Sequence, residues 1–294
     1  MAANNSHPAT DSTAGAIDLM YFPPARPAGT LGTGAINCYE SVEAVVTLKK
    51  ECGVDSVFIT PCKRWSCDRR IYCDHAQLDD ILRYTAPYPE HFIGIAGYNP
   101  LEIASSTLEA EIGIRNHGFR GVYVHPGSFG ITLGDRRMYP LYVKALERQV
   151  PVILDVRPLS PAEHVLRPAE VRQLAGDFSE LSLVIAQPQW SSEEMLRLAE
   201  NQPNVYFCFD TPSLLTPAVR SFINNPSGQS RCMWGSNGLP WKEALSEAAR
   251  LESPTTQALL RDNAVELFGL DRRPQRKATP FLESEEPSAR IAAE

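Results

Sequence analysis

Residues 118–126, GFRGVYVHP, are followed by MYPLYVKAL at 138–146 and by VPVILDV at 150–156, and these three stretches decide the fold. The outer two carry short β-branched runs, Gly121–His125 and Val152–Val156, which read as buried strands. Between them Met138, Leu141, Tyr142, Ala145 and Leu146 recur at i, i+3, i+4, i+7 and i+8, which puts them on one face of a helix. Asp135 is the expected cap of that helix. A strand, an amphipathic helix and a second strand make a parallel crossover unit.

The same alternation continues in both directions. Further strands are expected at Ala16–Phe22, Asp55–Thr60, Phe92–Gly97, Leu183–Ala186, Val205–Phe209 and Cys232–Gly235, making eight in all. Ser191 with Glu194 forms a capping box for the helix after the sixth strand, and Ser253-Pro254 begins a last helix ending at Gly269. Eight strands separated by helices imply a single α/β (β/α)8 TIM barrel, and 294 residues suit it, since such barrels take about 250. The rival open sheet with a dinucleotide site is disfavoured. Gly29, Gly32 and Gly34 have the wrong spacing and stand too far from the first strand for that fingerprint. The expected organisation is a polar leader over 1–15, the barrel over 16–271 and an Arg-, Pro-, Glu- and Ser-rich tail over 272–294.

A net charge of −7 offers no basic stripe for nucleic acid or anionic lipid, and no apolar run is long enough to span a membrane. The first residues lack a secretory pattern, so the expected location is cytoplasmic. Seven cysteines in such a chain read as thiols.

GFRGVYVHP and the two stretches after it resemble the middle of the amidohydrolase-related family, the group of aminocarboxymuconate-semialdehyde decarboxylase and related benzoate-type decarboxylases and hydrolases. Pro89–Gly94, Asn204–Phe207, Gly235-Ser236-Asn237 and the segments Asn263-Ala264 and Leu267–Leu270 extend the resemblance in the same order. It implies a metal held by D-x-H-x-H at the first strand, a His at the fifth, often a His at the sixth, and the Asp of G-S-D at the eighth. Here Asp18 is followed by Met20 and Phe22, and Asp155, Gln187 and Asn237 occupy the remaining places. A thioether, a phenyl ring and two amides offer zinc little, so no cofactor is expected at that site.

Barrel enzymes work at the carboxyl ends of their strands. Asp155 and His125 are therefore the expected acid/base pair, with Arg157, Tyr123, Gln187, Asn237, Met20, Tyr21 and Phe22 around a small-molecule substrate. Each has a plainer reading. His125 can hold the loop that follows it, Asp155 can serve an ion pair, Asp210 can cap a helix, and Gln187 and Asn237 can be satisfied core amides. The lesser alternative is a zinc moved to Cys62, Cys67, Cys73 and His75, although C-x4-C-x5-C-x-H lacks the C-x2-C pair common in such sites. Lys63, Arg64, Arg69 and Arg70 in that segment either shape an anion pocket or form a solvated face.

The resemblance implies an enzyme that hydrolyses or non-oxidatively decarboxylates a small polar or carboxylated molecule, in a biosynthetic setting, and a homodimer. A cyclase or isomerase using the same pair stays open. So does a non-catalytic barrel acting as ligand sensor or partner subunit.

Overall fold

The computed structural model describes residues 15–22, 41–66, 70–158, 160–238, 240–251 and 253–271. Nearly all of the expected leader, the tail, Cys67, Arg69 and the Gly29–Gly34 stretch lie outside them. The strands are β1 (Ala16–Tyr21), β2 (Val54–Ile59), β3 (Lys63–Ser66), β4 (Ile71–His75), β5 (Phe92–Gly94), β6 (Ala96–Gly97), β7 (Val122–Val124), β8 (Val152–Asp155), β9 (Leu183–Ala186), β10 (Val205–Phe209) and β11 (Cys232–Trp234). The helices are α1 (Val42–Glu51), α2 (Leu78–Thr85), α3 (Ile103–His117), α4 (Tyr139–Arg148), α5 (Pro168–Asp177), α6 (Ser192–Asn201), α7 (Thr211–Leu214), α8 (Pro217–Ile223), α9 (Pro226–Gln229), α10 (Trp241–Ala248), α11 (Ser253–Gln257) and α12 (Asn263–Phe268).

The parallel strands run in two series, β1-β2-β5 and β6-β7-β8-β9-β10-β11. β5 and β6 are two halves of the expected third strand. At Ile95 the chain changes partner: Ile95 N–H still donates to the Ile59 carbonyl at 3.2 Å, and Ala96 N–H already donates to Gly121 at 3.0 Å. The other side of the barrel closes where Asn237 N–H donates to the Met20 carbonyl at 3.0 Å.

Alternation along each strand divides the apolar side chains between two cores. Ile17, Leu19, Phe58, Ile95, Tyr123, Ile153, Val184, Cys208 and Met233 fill the barrel interior, and Phe268 from α12 plugs its floor against Phe58, with ring centroids 4.7 Å apart. Val122, Leu154, Leu183, Phe207, Phe209 and Trp234 face the helices instead. The Phe119 ring wedges α3 onto β5. A Cβ at Gly94 or Gly113 would lie 2.2 or 2.5 Å from that ring, so the close approach requires glycine at both places.

Two local expectations need correction. Asp135 does not cap α4, whose N-cap is Met138; its carboxylate is committed to Arg137, accepting from N–H and Nε at 2.9 Å each. The cysteine-bearing segment after β2 is an antiparallel hairpin, β3 with β4, rather than a loop. The Ser191–Glu194 capping box forms as expected, with Glu194 N–H donating to Ser191 Oγ at 3.3 Å and Ser191 N–H to Glu194 Oε2 at 2.9 Å.

Asp18 is the lock on the closing seam. It is fully buried and accepts from Ser236 N–H at 2.7 Å, the Trp241 indole N–H at 2.7 Å and Met20 N–H at 3.0 Å. Removing it strands those donors in a dry interior, where each unmet group costs about 1–3 kcal/mol. Asp18→Ala should therefore lower unfolding free energy by about 3 kcal/mol in urea titration, with the barrel still formed at low denaturant. A loss below about 0.5 kcal/mol would remove Asp18 from the closure. Burial raises the Asp18 carboxyl above its ordinary range against the pull of these hydrogen bonds. The folded chain thus keeps this proton to higher pH than the unfolded chain does, and the contribution to stability falls as pH rises through that window.

Candidate active site at the barrel mouth

Asp155 ends β8 and is 1% exposed. Its contacts all come from donors: Tyr123 Oη–H to Oδ2 at 2.9 Å, Arg157 N–H to Oδ1 at 3.1 Å, and Arg157 Nη2 at 3.8 Å from Oδ2. Tyr123 reaches it because Tyr123 and Ile153 are register partners on adjacent strands. Burial first, then the Asp155 carboxylate and Cys62, push the Tyr123 phenol well above its ordinary range, so it donates to Asp155 and keeps its proton.

Arg157 lies two residues beyond the strand, with its side chain 25% exposed. Nη2 makes a long hydrogen bond, 3.4 Å, to Asn237 Oδ1, and the buried Nε has no partner among the described residues. A guanidinium carries five donors in a planar fork. This one has an unused donor, Nε, buried beside the Asp155 carboxylate.

His125 is held differently from the expectation of a free acid or base. Its Nε2 lies 2.8 Å from the Arg157 carbonyl, which can only accept, so Nε2 carries the proton. Nδ1 then accepts from Ser128 N–H at 3.1 Å, across the 3-10 turn Pro126–Phe129. Both ring nitrogens are spent on backbone, and the Asp155 and Glu163 carboxylates lie 4.0 and 3.9 Å away. The ring fixes the stretch of backbone that carries Arg157.

Gln187 and Asn237, at the ends of β9 and β11, both adopt left-handed backbone, φ 58° and 51°, which turns their amides toward Asp210. Asn237 Nδ2 donates to Asp210 Oδ2 at 3.2 Å. With its nitrogen facing the carboxylate, Gln187 donates to both Asp210 oxygens at 3.2 Å and accepts from Asp210 N–H at 3.1 Å. Asp210 also caps α7 by accepting from Ser213 N–H at 2.9 Å, as its position before Thr211-Pro212 suggests. Its second engagement, with the strand-end amides, has no local sequence signal.

Of the first-strand residues, Met20 packs into the barrel interior and the partly buried Phe22 stands over it, edge-on to Tyr123 at 5.7 Å between centroids. Tyr21 points the other way. It is buried between barrel and helices against Tyr84 and Trp241, so it lines no mouth. On the hairpin, Arg64 pairs with Asp74 through Nε at 2.7 Å. Burial first, then Asp74 and Asp155, push the Cys62 thiol up against the opposite pull of Arg64 and Arg157. Cys73 is exposed, and His75 is stacked on Tyr72 and faces Glu102 at 3.4 Å. Of the alternative zinc set, Cys67 lies outside the described residues, and among the described residues no three His, Cys, Asp or Glu side chains form a group that could hold a metal ion. No helix among them is long and apolar enough to cross a membrane.

Comparison with solved structures shows the same barrel. An uncharacterized TIM-barrel protein from Bordetella bronchiseptica is 22% identical, with a TM-score of 0.66 over 80% of this chain and 84% of that one. The 2,6-dihydroxybenzoate decarboxylase from Rhizobium is 12% identical, with a TM-score of 0.64 over 88% of this chain and 99% of the other. The 5-carboxyvanillate decarboxylase from Novosphingobium aromaticivorans, solved with bound manganese, is 13% identical, with a TM-score of 0.56 over 76% and 80%. No curated protein matches the chain.

That manganese, present also in a dihydroxybenzoic acid decarboxylase from Polaromonas, runs against the expectation of no cofactor for this chain and corrects it. The residues at the expected ligand positions do not fit such an ion as they stand. Asp18 and Asp155 have their oxygens turned to N–H and O–H donors, Gln187 and Asn237 are tied to Asp210, and Met20 and Phe22 bring no hard donor. No step is therefore derived through it. The amidohydrolase family model matches residues 73–270, and the chain belongs to the amidohydrolase family.

Proposed function

We propose that this chain catalyses the non-oxidative decarboxylation of a small hydroxylated aromatic or enolic carboxylic acid. The observation that carries the reading is the juxtaposition of Arg157, Asp155 and Tyr123 at adjoining strand ends, with the partly buried Phe22 ring edge-on to Tyr123. That decarboxylases of aromatic acids share the barrel supports it.

Asp155 takes the proton of the substrate hydroxyl and delivers it to the carbon that bears the carboxylate. Arg157 holds the oxygen that becomes negative, through its partly exposed guanidinium. The bond from that carbon to the carboxylate then breaks, its electron pair returns to the ring, and carbon dioxide leaves. The leaving carboxylate faces Met20 and Phe22, where losing its charge is favoured over keeping it. The hydroxyl oxygen recovers a proton from water. Tyr123 orients Asp155, and His125 positions Arg157 through its carbonyl.

A second reading, hydrolysis with Asp155 activating water, is favoured by the fact that Asp155 only accepts in its present contacts. Incubation in D2O with a panel of hydroxybenzoates, with and without added manganese chloride, separates the readings. Product deuterated at the vacated carbon, with released carbon dioxide, supports decarboxylation. Turnover confined to lactones or amides, with solvent 18O in the product, assigns Asp155 to water. Recovery of both panels unchanged sinks both enzymatic readings in favour of a ligand-binding barrel.

A further inference from the structure

We infer that Asp210 is a positioning residue for anion recognition: through the side-chain amide of Asn237 it fixes the guanidinium of Arg157 at the barrel mouth. This rests on the reading of Arg157 as the anion anchor. Asp210 is 8% exposed and accepts from Ser213 N–H, so one oxygen is fixed by the cap of α7. The other oxygen then meets Asn237 Nδ2 at 3.2 Å. A carboxylate can only accept, so it dictates which way the Asn237 amide faces, and Oδ1 is left toward Arg157 Nη2 at 3.4 Å. Gln187 holds the same carboxylate from the neighbouring strand. With Nη2 tethered to Asn237 and the backbone of Arg157 held by His125, the guanidinium is fixed at both ends while the buried Nε has no partner among the described residues.

The position matters for the family resemblance as well. An aspartate in place of Asn237 would set two carboxylates about 3.2 Å apart, like charges that cannot both stay ionised. Given Asp210, an amide at 237 is what the electrostatics allow.

Two variants separate positioning from capping. In Asp210→Asn the cap keeps the side-chain oxygen, so the new NH2 faces Asn237 and turns its amide over, presenting N–H to the guanidinium. Asp210→Ser keeps a capping hydroxyl and cannot reach Asn237. The experiment is 15N NMR of arginine-labelled full-length protein, with the Arg157 Nε–H resonance assigned by its loss in Arg157→Met, followed by titration with 2-hydroxybenzoate. In wild type the ligand-free Nε–H should be a single slowly exchanging line that shifts on titration. Both Asp210 variants should broaden or shift that line before any ligand is added and weaken 2-hydroxybenzoate about tenfold, the equivalent of one well-aimed hydrogen bond. An unchanged ligand-free line in both variants overturns the positioning role. If instead Arg157→Met binds 2-hydroxybenzoate as tightly as wild type, the anchor reading fails on its own, and the ligand-free spectra still decide whether Asp210 sets Arg157.

Discussion

Asp155→Asn should lower turnover of a decarboxylated hydroxybenzoate about a thousandfold while leaving its KM within about threefold, since general acid–base groups contribute about 10²–10⁴ in rate. The substitution preserves volume: its one oxygen can still accept from Arg157 N–H, and its NH2 can donate to Tyr123 Oη, which accepts as well as donates, so the β8 end keeps its shape. What it loses is the capacity to carry a proton from the substrate hydroxyl to the ring carbon. Tyr123→Phe should cost far less, about tenfold, because the phenol only orients Asp155. Steady-state kinetics on the two variants, with circular dichroism to show an intact barrel, checks the pair. Equal losses in both would make Tyr123 the proton carrier. A KM-only loss in Asp155→Asn would make Asp155 a binding group and end the mechanism proposed for it.

The barrel was legible because its evidence is periodic and repeated. Tyr123, Ile153, Val184 and Cys208 each lie inside while their chain neighbours face the helices, and this alternation is written in the strand runs themselves. The places where reading fell short are places where contacts come from far along the chain. Tyr21 faces Trp241 and Tyr84 rather than the mouth because the β1–β2 register shifts between Asp18 and Tyr21, a break that no local pattern announces. Lys63–Ser66 and Ile71–His75 form a hairpin although their charged and cysteine-rich composition suggested a loop; pairing across it is sealed by Arg64 with Asp74 and Trp65 against Tyr72, 5.0 Å between centroids. Asp18 looks like a retained metal ligand, yet its oxygens belong to Ser236, Trp241 and Met20, two of which lie more than 200 residues away. His125 shows the same limit. Its plainer reading as a loop-holding ring depends on the Arg157 carbonyl, which only the neighbouring strand end supplies.

Arg157→Met should weaken binding of 2-hydroxybenzoate about a hundredfold, near the 3 kcal/mol that a charged hydrogen-bonding partner contributes when it meets an anion in a partly dry site. Methionine approximates the length of the arginine stem and leaves the packing against the mouth, so the loss reports the guanidinium. Arg157→Lys is the sharper variant. An ammonium restores the charge but has no planar fork, and it cannot present one nitrogen to Asn237 Oδ1 while a second faces the ligand along the same edge. If recognition is by charge alone, lysine should recover most of the affinity. If it depends on the tethered fork, lysine should recover less than about a tenth of it. Isothermal titration of wild type, Arg157→Met and Arg157→Lys at two salt concentrations gives the answer, because a contribution from a screened surface charge fades with salt while a contact in the barrel mouth persists. Binding that is indifferent to all three side chains would place the anion elsewhere on the barrel and remove the ground for reading this mouth as a carboxylic acid site.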